Sequence, residues 1–286
     1  TLAADGSTIN IGAGTYDLTS SITIAKDISF IGTDGVIINR AGTAAVFSHT
    51  ASNSITIKDI EFISNTTPSN PIINMGGSGS LTIENCKFHD ISIPASGANG
   101  ILKVFYQSNA LINNCEFYNI GGGTRNNQMY LSILGSGTTS INNSYFHDIA
   151  PTSLIRAVVY CSSVDATLNI DNTVFANISG DMFAAIDKSN GIMNLRNCTF
   201  CDNNLSASNV RGILASVGSN TKDTTISACK FYNNDAINAI YDKDAPFTVE
   251  YCLFDLDEGQ YAISAQDSSA VTATNNYYGS NDNPSS

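Results

Sequence analysis

An eight-residue unit recurs along most of the chain, and this repeat limits the folds that the chain can adopt. The gapless copies run from ITIKDIEF (55–62) to FTVEYCLF (247–254). A looser copy is ITIAKDISF (22–30), and VTATNNYY (271–278) ends the series. The phenylalanines that close the units are 23 to 31 residues apart, at Phe62, Phe88, Phe117, Phe146, Phe175, Phe200, Phe231 and Phe254. This period predicts a solenoid of stacked coils.

The pattern inside the unit predicts two short strands separated by a bend. The residue five places before each phenylalanine is apolar, as at Ile57, and the residue two places before it is small or apolar. Inward positions three apart break the alternation of a continuous strand, so the chain must turn between them. Asparagine, which tolerates the left-handed conformation, gathers at this bend, at Asn85, Asn114, Asn143, Asn172, Asn197 and Asn275.

A third apolar run follows each unit, as in GILKVFY (100–106), and supplies a third strand. The expected fold is all-β: a right-handed parallel β-helix of about ten coils, each with three short strands. We expect one domain over residues 1–286, with a first coil or cap at 1–20 and a C-terminal cap at 275–286. Leucine-rich and helical repeats are disfavoured because their sequence patterns are missing.

The cysteines follow the same repeat. Five of the seven occupy the position two places before the phenylalanine, at Cys86, Cys115, Cys198, Cys229 and Cys252. A uniform column offers no preferred disulfide pairs, although neighbouring coils lie within disulfide range. We interpret these cysteines as small buried residues.

Charge and hydropathy argue against nucleic acid as a partner and against a membrane span. The chain has 25 acidic and 13 basic residues and a formal net charge of −12, which disfavours nucleic acid. No apolar stretch approaches the roughly 18 to 20 residues needed to span a bilayer. The chain does not begin with Met, so we expect a mature form or a fragment of a longer surface protein, and a monomer.

Several segments carry a resemblance to a known family. DGSTINIGAGTYDL (5–18), SITIAKDISFIG (21–32) and NNYYGSNDNP (275–284) resemble the β-helix region of adhesin-like surface proteins of methanogenic archaea, within the pectate-lyase-like superfamily. The resemblance implies an extracellular, cell-surface segment of a secreted chain. It also implies non-catalytic binding of glycans or of surface proteins on other cells.

The third strand and its flanking loops are the predicted binding surface. The candidate residues form an aromatic and basic strip on an acidic body: Tyr106, Tyr130, Tyr160, Tyr241, Lys103, Arg156 and Arg211. Aromatic rings can stack on sugars, and the basic groups favour an acidic glycan. The loops expected to tune specificity are 90–100, 119–129 and 202–210.

Two alternatives to the adhesin remain open. A lyase acting on a uronate polymer would use the basic residues for proton abstraction, with Asp187 and Asp242 nearby and Ca²⁺ as an ion that binds the uronate. A structural stalk would bind nothing. Polysaccharide hydrolases of this fold are disfavoured, because an Asp-Asp pair and a Gly-His-Gly motif are missing. No catalytic residue is predicted.

No resident metal or other cofactor is predicted. The acidic loop at 255–259 lacks the full Ca²⁺-loop pattern. The repeated HDI motif places His89 and His147 two coils apart, about 9.6 Å on the coil spacing, which is too far for one ion.

Overall fold

The structure is a computed structural model that describes residues 3–66, 70–93, 100–122, 128–206, 210–218, 222–243, 246–266 and 270–279. These residues form short β-strands joined by turns. Every pairing between these strands is parallel, and a strand pairs with its counterparts in the preceding and following coils. The predicted parallel β-helix with three strands per coil is therefore confirmed.

Three sheets of 11, 12 and 10 strands run along the stack of coils. The strands of the first sheet are Ser7–Ile11, Ile28–Gly32, Ile55–Lys58, Ser80–Glu84, Asn109–Asn113, Thr138–Asn142, Thr167–Asp171, Ile192–Arg196, Thr224–Ser227, Phe247–Glu250 and Val271–Thr274. Those of the second sheet are Gly14–Leu18, Val36–Arg40, Glu61–Ser64, Lys87–Ile93, Glu116–Gly122, Tyr145–Pro151, Val174–Gly180, Thr199–Cys201, Asn204–Leu205, Lys230–Tyr232, Leu253–Asp255 and Tyr277–Tyr278. Those of the third sheet are Ile22–Ile24, Phe47–His49, Ile73–Met75, Leu102–Val104, Met129–Ile133, Ile155–Cys161, Met182–Lys188, Leu214–Val217, Asn238–Lys243 and Tyr261–Gln266.

A column of stacked rings fills the centre of the coils. The eight repeat phenylalanines are at most 1% exposed, which confirms their predicted inward position. From Phe62 to Phe254, neighbouring ring centroids are 4.5 to 5.1 Å apart and the rings are tilted by 1 to 9°. Tyr278 extends the stack, 5.5 Å beyond Phe254. The five cysteines of the repeat are buried, which confirms their interpretation as small buried residues, and Cys161 and Cys201 are buried as well.

The chain turns between the first and second sheets through a residue in the left-handed conformation. We call this turn the first bend; its left-handed residues have φ of 49 to 57° and are Asp59, Asn85, Asn114, Asn143, Asn172, Asn197, Ala228, Tyr251 and Asn275. The predicted role of the asparagines is confirmed. Their amides also bond between coils: Asn85 Nδ2 donates to Asp59 Oδ1 at 2.9 Å, and Asn114 Nδ2 donates to Asn85 Oδ1 at 2.8 Å.

A second bend lies inside the second sheet, two residues after the phenylalanine. Its left-handed residues have φ of 50 to 56° and are Asp90, Asn119, Asp148, Asn177, Asp202 and Asn233. This bend was not predicted from the sequence. The signal was available, because Asp or Asn stands two places after six consecutive repeat phenylalanines.

The predicted alignment of the looser copy at 22–30 with the other units is wrong. Phe30 pairs with Ile57 in the first sheet, whereas Ile38 is the residue aligned with Phe62. Three residues separate the first- and second-sheet strands of this coil, where two are usual, and Gly35 among them has a φ of 81°. Phe30 and Ile38 are eight residues apart, whereas Ile57 and Phe62 are five apart, so three additional residues in this coil break the gapless pattern.

The predicted single domain with its two caps stays a prediction. Residues 3–279 contribute to one stack of coils apart from the gaps given above, and the final seven residues of the C-terminal cap lie outside the described part. The described part contains no helix that is long and apolar enough to cross a membrane.

Candidate ligand-binding face

The outer face of the third sheet brings most of the predicted binding residues together. One column of this face takes one residue from each successive coil: Asn74, Lys103, Ser132, Tyr160, Asp187, Ala215, Tyr241 and Ser264. Lys103, Tyr160 and Tyr241 therefore share a column, on the third strand to which the sequence assigned them. We call this surface, with the side chains that cover it, the third-sheet face.

Asp187 is the centre of this face. Its side chain is fully buried, and its Oδ2 atom accepts bonds from Arg156 Nε at 2.8 Å and from Arg211 Nη1 at 3.1 Å. The Oδ1 atom is buried without a hydrogen-bond partner among the described residues. Burial raises the pKa of Asp187, while Arg156 and Arg211 oppose that rise. The two arginines are thus held in place by one buried carboxylate.

Aromatic rings support both guanidinium groups. The Cζ atom of Arg156 lies 4.2 Å from the ring centroid of Tyr160, and that of Arg211 lies 5.1 Å from the centroid of Phe183. Arg156 Nη2 and the hydroxyl of Tyr160 both donate to Ser189 Oγ. The arginine side chains remain 22% and 27% exposed. They can therefore contact a ligand while keeping a fixed geometry.

Further aromatic groups lie at both ends of the face. Lys103 Nζ is 4.8 Å from the centroid of Phe105, and that ring meets Tyr106 edge-on at 4.6 Å. Tyr106 is 60% exposed. At the other end the hydroxyl of Tyr241 donates to Gln266 Oε1 at 2.8 Å. Phe105, Phe183 and Ser189 were not among the predicted site residues.

The predicted binding role of Tyr130 is wrong. It is 0% exposed and belongs to the core, so it cannot contact a ligand at the surface. Its ring occupies space beside Gly100, where a Cβ atom would lie 3.2 Å from Tyr130 Cδ1. Burial raises the pKa of its hydroxyl. The residues at the same place in the next two coils, Val158 and Ala185, are also fully buried. Because both are apolar, the sequence already indicated that this position faces the core.

The loops predicted to tune specificity are only partly described. Residues 94–99, 123–127 and 207–209, in the middle or at the end of those loops, lie outside the described residues. Selection of the ligand by these loops stays a prediction.

The second sheet carries a separate aromatic stack on its outer face. His89, Tyr118 and His147 stack with centroids 4.6 and 5.2 Å apart. His147 Nδ1 lies 2.7 Å from Asp148, and its Nε2 lies 3.1 Å from Glu116 in the preceding coil. The His147 contact lowers the pKa of Asp148, with help from Asn177. Tyr118 separates the two imidazoles, and no group of three or more His, Cys, Asp or Glu among the described residues is arranged to hold a metal.

Comparisons with protein-family models and with curated proteins find no match. Solved structures that the chain matches include an alginate lyase from Paenibacillus sp. str. FPU-7, at 13% identity and a TM-score of 0.49, covering 91% of this chain and 95% of the lyase. A second is a tailspike protein of E. coli bacteriophage HK620 with a pentasaccharide, at 13% identity and a TM-score of 0.47, covering 95% of this chain and 59% of the tailspike.

A third match is the catalytic unit of a GH87 alpha-1,3-glucanase from Streptomyces thermodiastaticus, at 13% identity and a TM-score of 0.44. The match covers 97% of this chain and 64% of the glucanase. The chain thus spans less than two thirds of the tailspike and of the glucanase. At this identity and these TM-scores, similarity to the three proteins does not indicate what the chain does.

Proposed function

We propose that the chain is a non-catalytic adhesin module of an extracellular, cell-surface protein, and that its third-sheet face binds an acidic glycan. The observation that carries this proposal is the pair of partly exposed guanidinium groups fixed by buried Asp187. Each guanidinium has five N–H donors, and the contact with Asp187 uses one of them. Donors that are already ordered lose little entropy when they bind a carboxylate or sulfate.

Charge and ring placement support an acidic sugar polymer as the ligand. Arg156, Arg211 and an ionised Asp187 together carry one net positive charge on a chain whose formal charge is −12. An anionic ligand would therefore be attracted to this face more than to the rest of the surface. The rings of Tyr106, Tyr160 and Tyr241 are placed along the same sheet, where sugar rings could stack on them.

The adhesin proposal is tested by titration calorimetry with a uronate oligosaccharide. The variant combines Lys103→Asn, Tyr160→Ser and Tyr241→Ser; each change copies the residue of an adjacent coil in the same column, namely Asn74, Ser132 and Ser264. We expect binding to weaken at least tenfold while the melting temperature changes little. Tyr251→Asn, which copies Asn275 at the first bend, is the control and should bind normally. Equal binding by the variant and the natural chain would exclude this face.

A uronate lyase is the second candidate, and the contact between Arg156 and Tyr160 favours it. Proton abstraction beside a carboxylate needs a base and a cation that stabilises the developing charge, and these two residues lie together. Ca²⁺ would bind the uronate in that reaction, although no protein site for it is evident among the described residues. Ultraviolet absorbance of the unsaturated product distinguishes the candidates. Turnover that disappears in Tyr160→Phe would replace the adhesin with the lyase.

A further inference from the structure

A shallow groove lies along the first bend, away from the third-sheet face. Its volume is about 330 Å³, at the lower end of the range for small-ligand sites. Polar side chains from three successive coils line it: Asn85, Lys87, Asn114, Glu116, Asn143 and Tyr145. The groove crosses two coil steps, or about 9.6 Å, which matches a short oligosaccharide better than a single sugar.

The ladder of bend asparagines is interrupted inside this groove. Asn114 Nδ2 donates to Asn85, and Asn172 Nδ2 donates to Asn143, each along the stack. Asn143 Nδ2 instead donates to Oδ1 of Asn113, the residue before Asn114 in the preceding coil, at 2.9 Å. Among the described side chains, none bridges Asn114 and Asn143, so the amide oxygen of Asn114 is left as an acceptor at the groove.

The charges in the groove balance. Lys87 Nζ and Glu116 Oε2 are 3.7 Å apart, and their side chains are 48% and 35% exposed. The rest of the lining consists of three neutral amides, one phenol and the buried thiols of Cys86 and Cys115. This contrasts with the third-sheet face, where two arginines share one carboxylate. A neutral ligand with many hydroxyl groups suits amides and an ion pair, because each can donate or accept hydrogen bonds.

An exposed aromatic residue closes the groove. Tyr145 is 40% exposed, and its ring packs on that of His147 with centroids 4.0 Å apart. The same outer column of the second sheet holds Glu116 in the preceding coil and Val174 in the following one. Tyr145 is thus an aromatic residue between two non-aromatic ones, and it lies in the coil where the amide ladder is interrupted.

We infer that this groove is a second saccharide site, specific for a neutral hexopyranose oligosaccharide. Asn114, Asn143 and the Lys87–Glu116 pair supply the hydrogen bonds to hydroxyl groups, and Tyr145 supplies an aromatic surface. The site is independent of the third-sheet face, since the two lie on different sheets and share no lining residue.

The test is titration of the whole chain with cellotetraose, maltotetraose and mannotetraose, beside a tetragalacturonate. At least one neutral oligosaccharide should bind, and Tyr145→Val should weaken that binding at least tenfold. The substitution copies Val174, so the coil keeps a residue that the same column already holds. The matched control is Tyr277→Val, in the same column and 61% exposed but outside the groove. It should bind like the natural chain.

A second variant, Asn114→Ala, keeps a residue type that adopts this bend at Ala228 while removing the amide oxygen. It should weaken binding of the same neutral oligosaccharide, and the Lys103, Tyr160 and Tyr241 triple variant should not. Absence of binding to all three neutral probes would overturn the inference. So would equal binding by Tyr145→Val and the natural chain, whether or not tetragalacturonate binds.

Discussion

Asp187 and Lys188 are adjacent buried charged residues that face opposite sides of the third sheet. Asp187 lies on the outer face between two arginines. Lys188 is 2% exposed and in register with buried Cys161 and Ser216. Its Nζ atom donates to Lys222 O and to Thr224 Oγ1, each at 2.7 Å. The outer charge is paired with opposite charges, whereas the inner one is held mainly by neutral acceptors.

This burial makes the stability of the chain depend on pH through Lys188. Burial lowers the pKa of Lys188 from 10.5 to about 8, and Asp242 opposes that shift. Between these two values the unfolded chain binds more protons than the folded chain, so the Lys188 contribution to the unfolding free energy rises with pH. Over the pH range between the two pKa values, the Lys188 contribution to the unfolding free energy rises by about 3 kcal/mol.

Urea unfolding of the natural chain and of Lys188→Met at pH 7.5, 9 and 10 measures this contribution. The difference in unfolding free energy between the two should shift in favour of the natural chain as pH increases. The buried thiols have the opposite effect. Their pKa values are raised in the folded chain, so the unfolding free energy falls once the thiols of the unfolded chain ionise. This effect is common to both proteins, and taking the difference between them removes it. A difference that is the same at all three pH values would contradict the lowered pKa of Lys188.

At the scale of the element, the first bend requires one residue per coil to adopt the left-handed conformation. Asn172 has a φ of 49°, and its amide donates to Asn143 Oδ1 at 2.7 Å. Ala228 adopts the same conformation elsewhere, so the bend accepts a residue without an amide. The asparagine thus contributes both backbone tolerance and a bond between coils.

Paired substitutions at Asn172 separate these two contributions. Asn172→Ala loses both, whereas Asn172→Gly loses the amide bond but is free to adopt positive φ. We expect the alanine variant to be less stable than the glycine variant by about 1 kcal/mol in chemical denaturation. If the alanine variant were the more stable of the two, backbone strain would not govern the bend.

The sequence predicted those features that recur in every coil. Apolar positions such as Ile57 and the bend asparagines follow one period, so the sheets and the core column could be derived from it. The second bend was missed because the gapless unit was ended at the phenylalanine, two residues too early. Tyr130 was misplaced because its outward position was inferred from strand membership alone, without comparison to Val158.

The candidate site was predictable only in part. The shared column of Lys103, Tyr160 and Tyr241 follows from the repeat. The pairing of Arg156 and Arg211 on one oxygen of Asp187 does not, because it depends on side-chain conformation across coils of unequal length. The interruption of the amide ladder at Asn143 likewise depends on the conformation of one side chain, which the repeat pattern does not determine.

At the scale of the whole molecule, stability should decrease from the central coils to the ends. Met182–Lys188 is buried at six of its seven positions, whereas Val271–Thr274 has no buried position and Gly14–Leu18 has four exposed ones. A terminal coil also has a neighbour on one side only.

Hydrogen exchange measured by mass spectrometry checks this gradient. Amides of Gly14–Leu18 and Val271–Thr274 should exchange fastest, and those of Met182–Lys188 and the neighbouring central strands slowest, because end coils open without disrupting the core. Equal protection along the chain would show instead that the coils open only together.

The direction of the parallel ladders also decides how the molecule would respond to force. The hydrogen bonds that join one coil to the next point along the stack. Tension that pulls the two ends apart along this direction would load one row of bonds at a time and peel coils from the ends. Each coil comprises 23 to 31 residues, so its release would lengthen the chain by roughly 80 to 105 Å. The end coils would therefore unfold first and in steps, while the inner coils that carry Arg156 and Arg211 stayed folded.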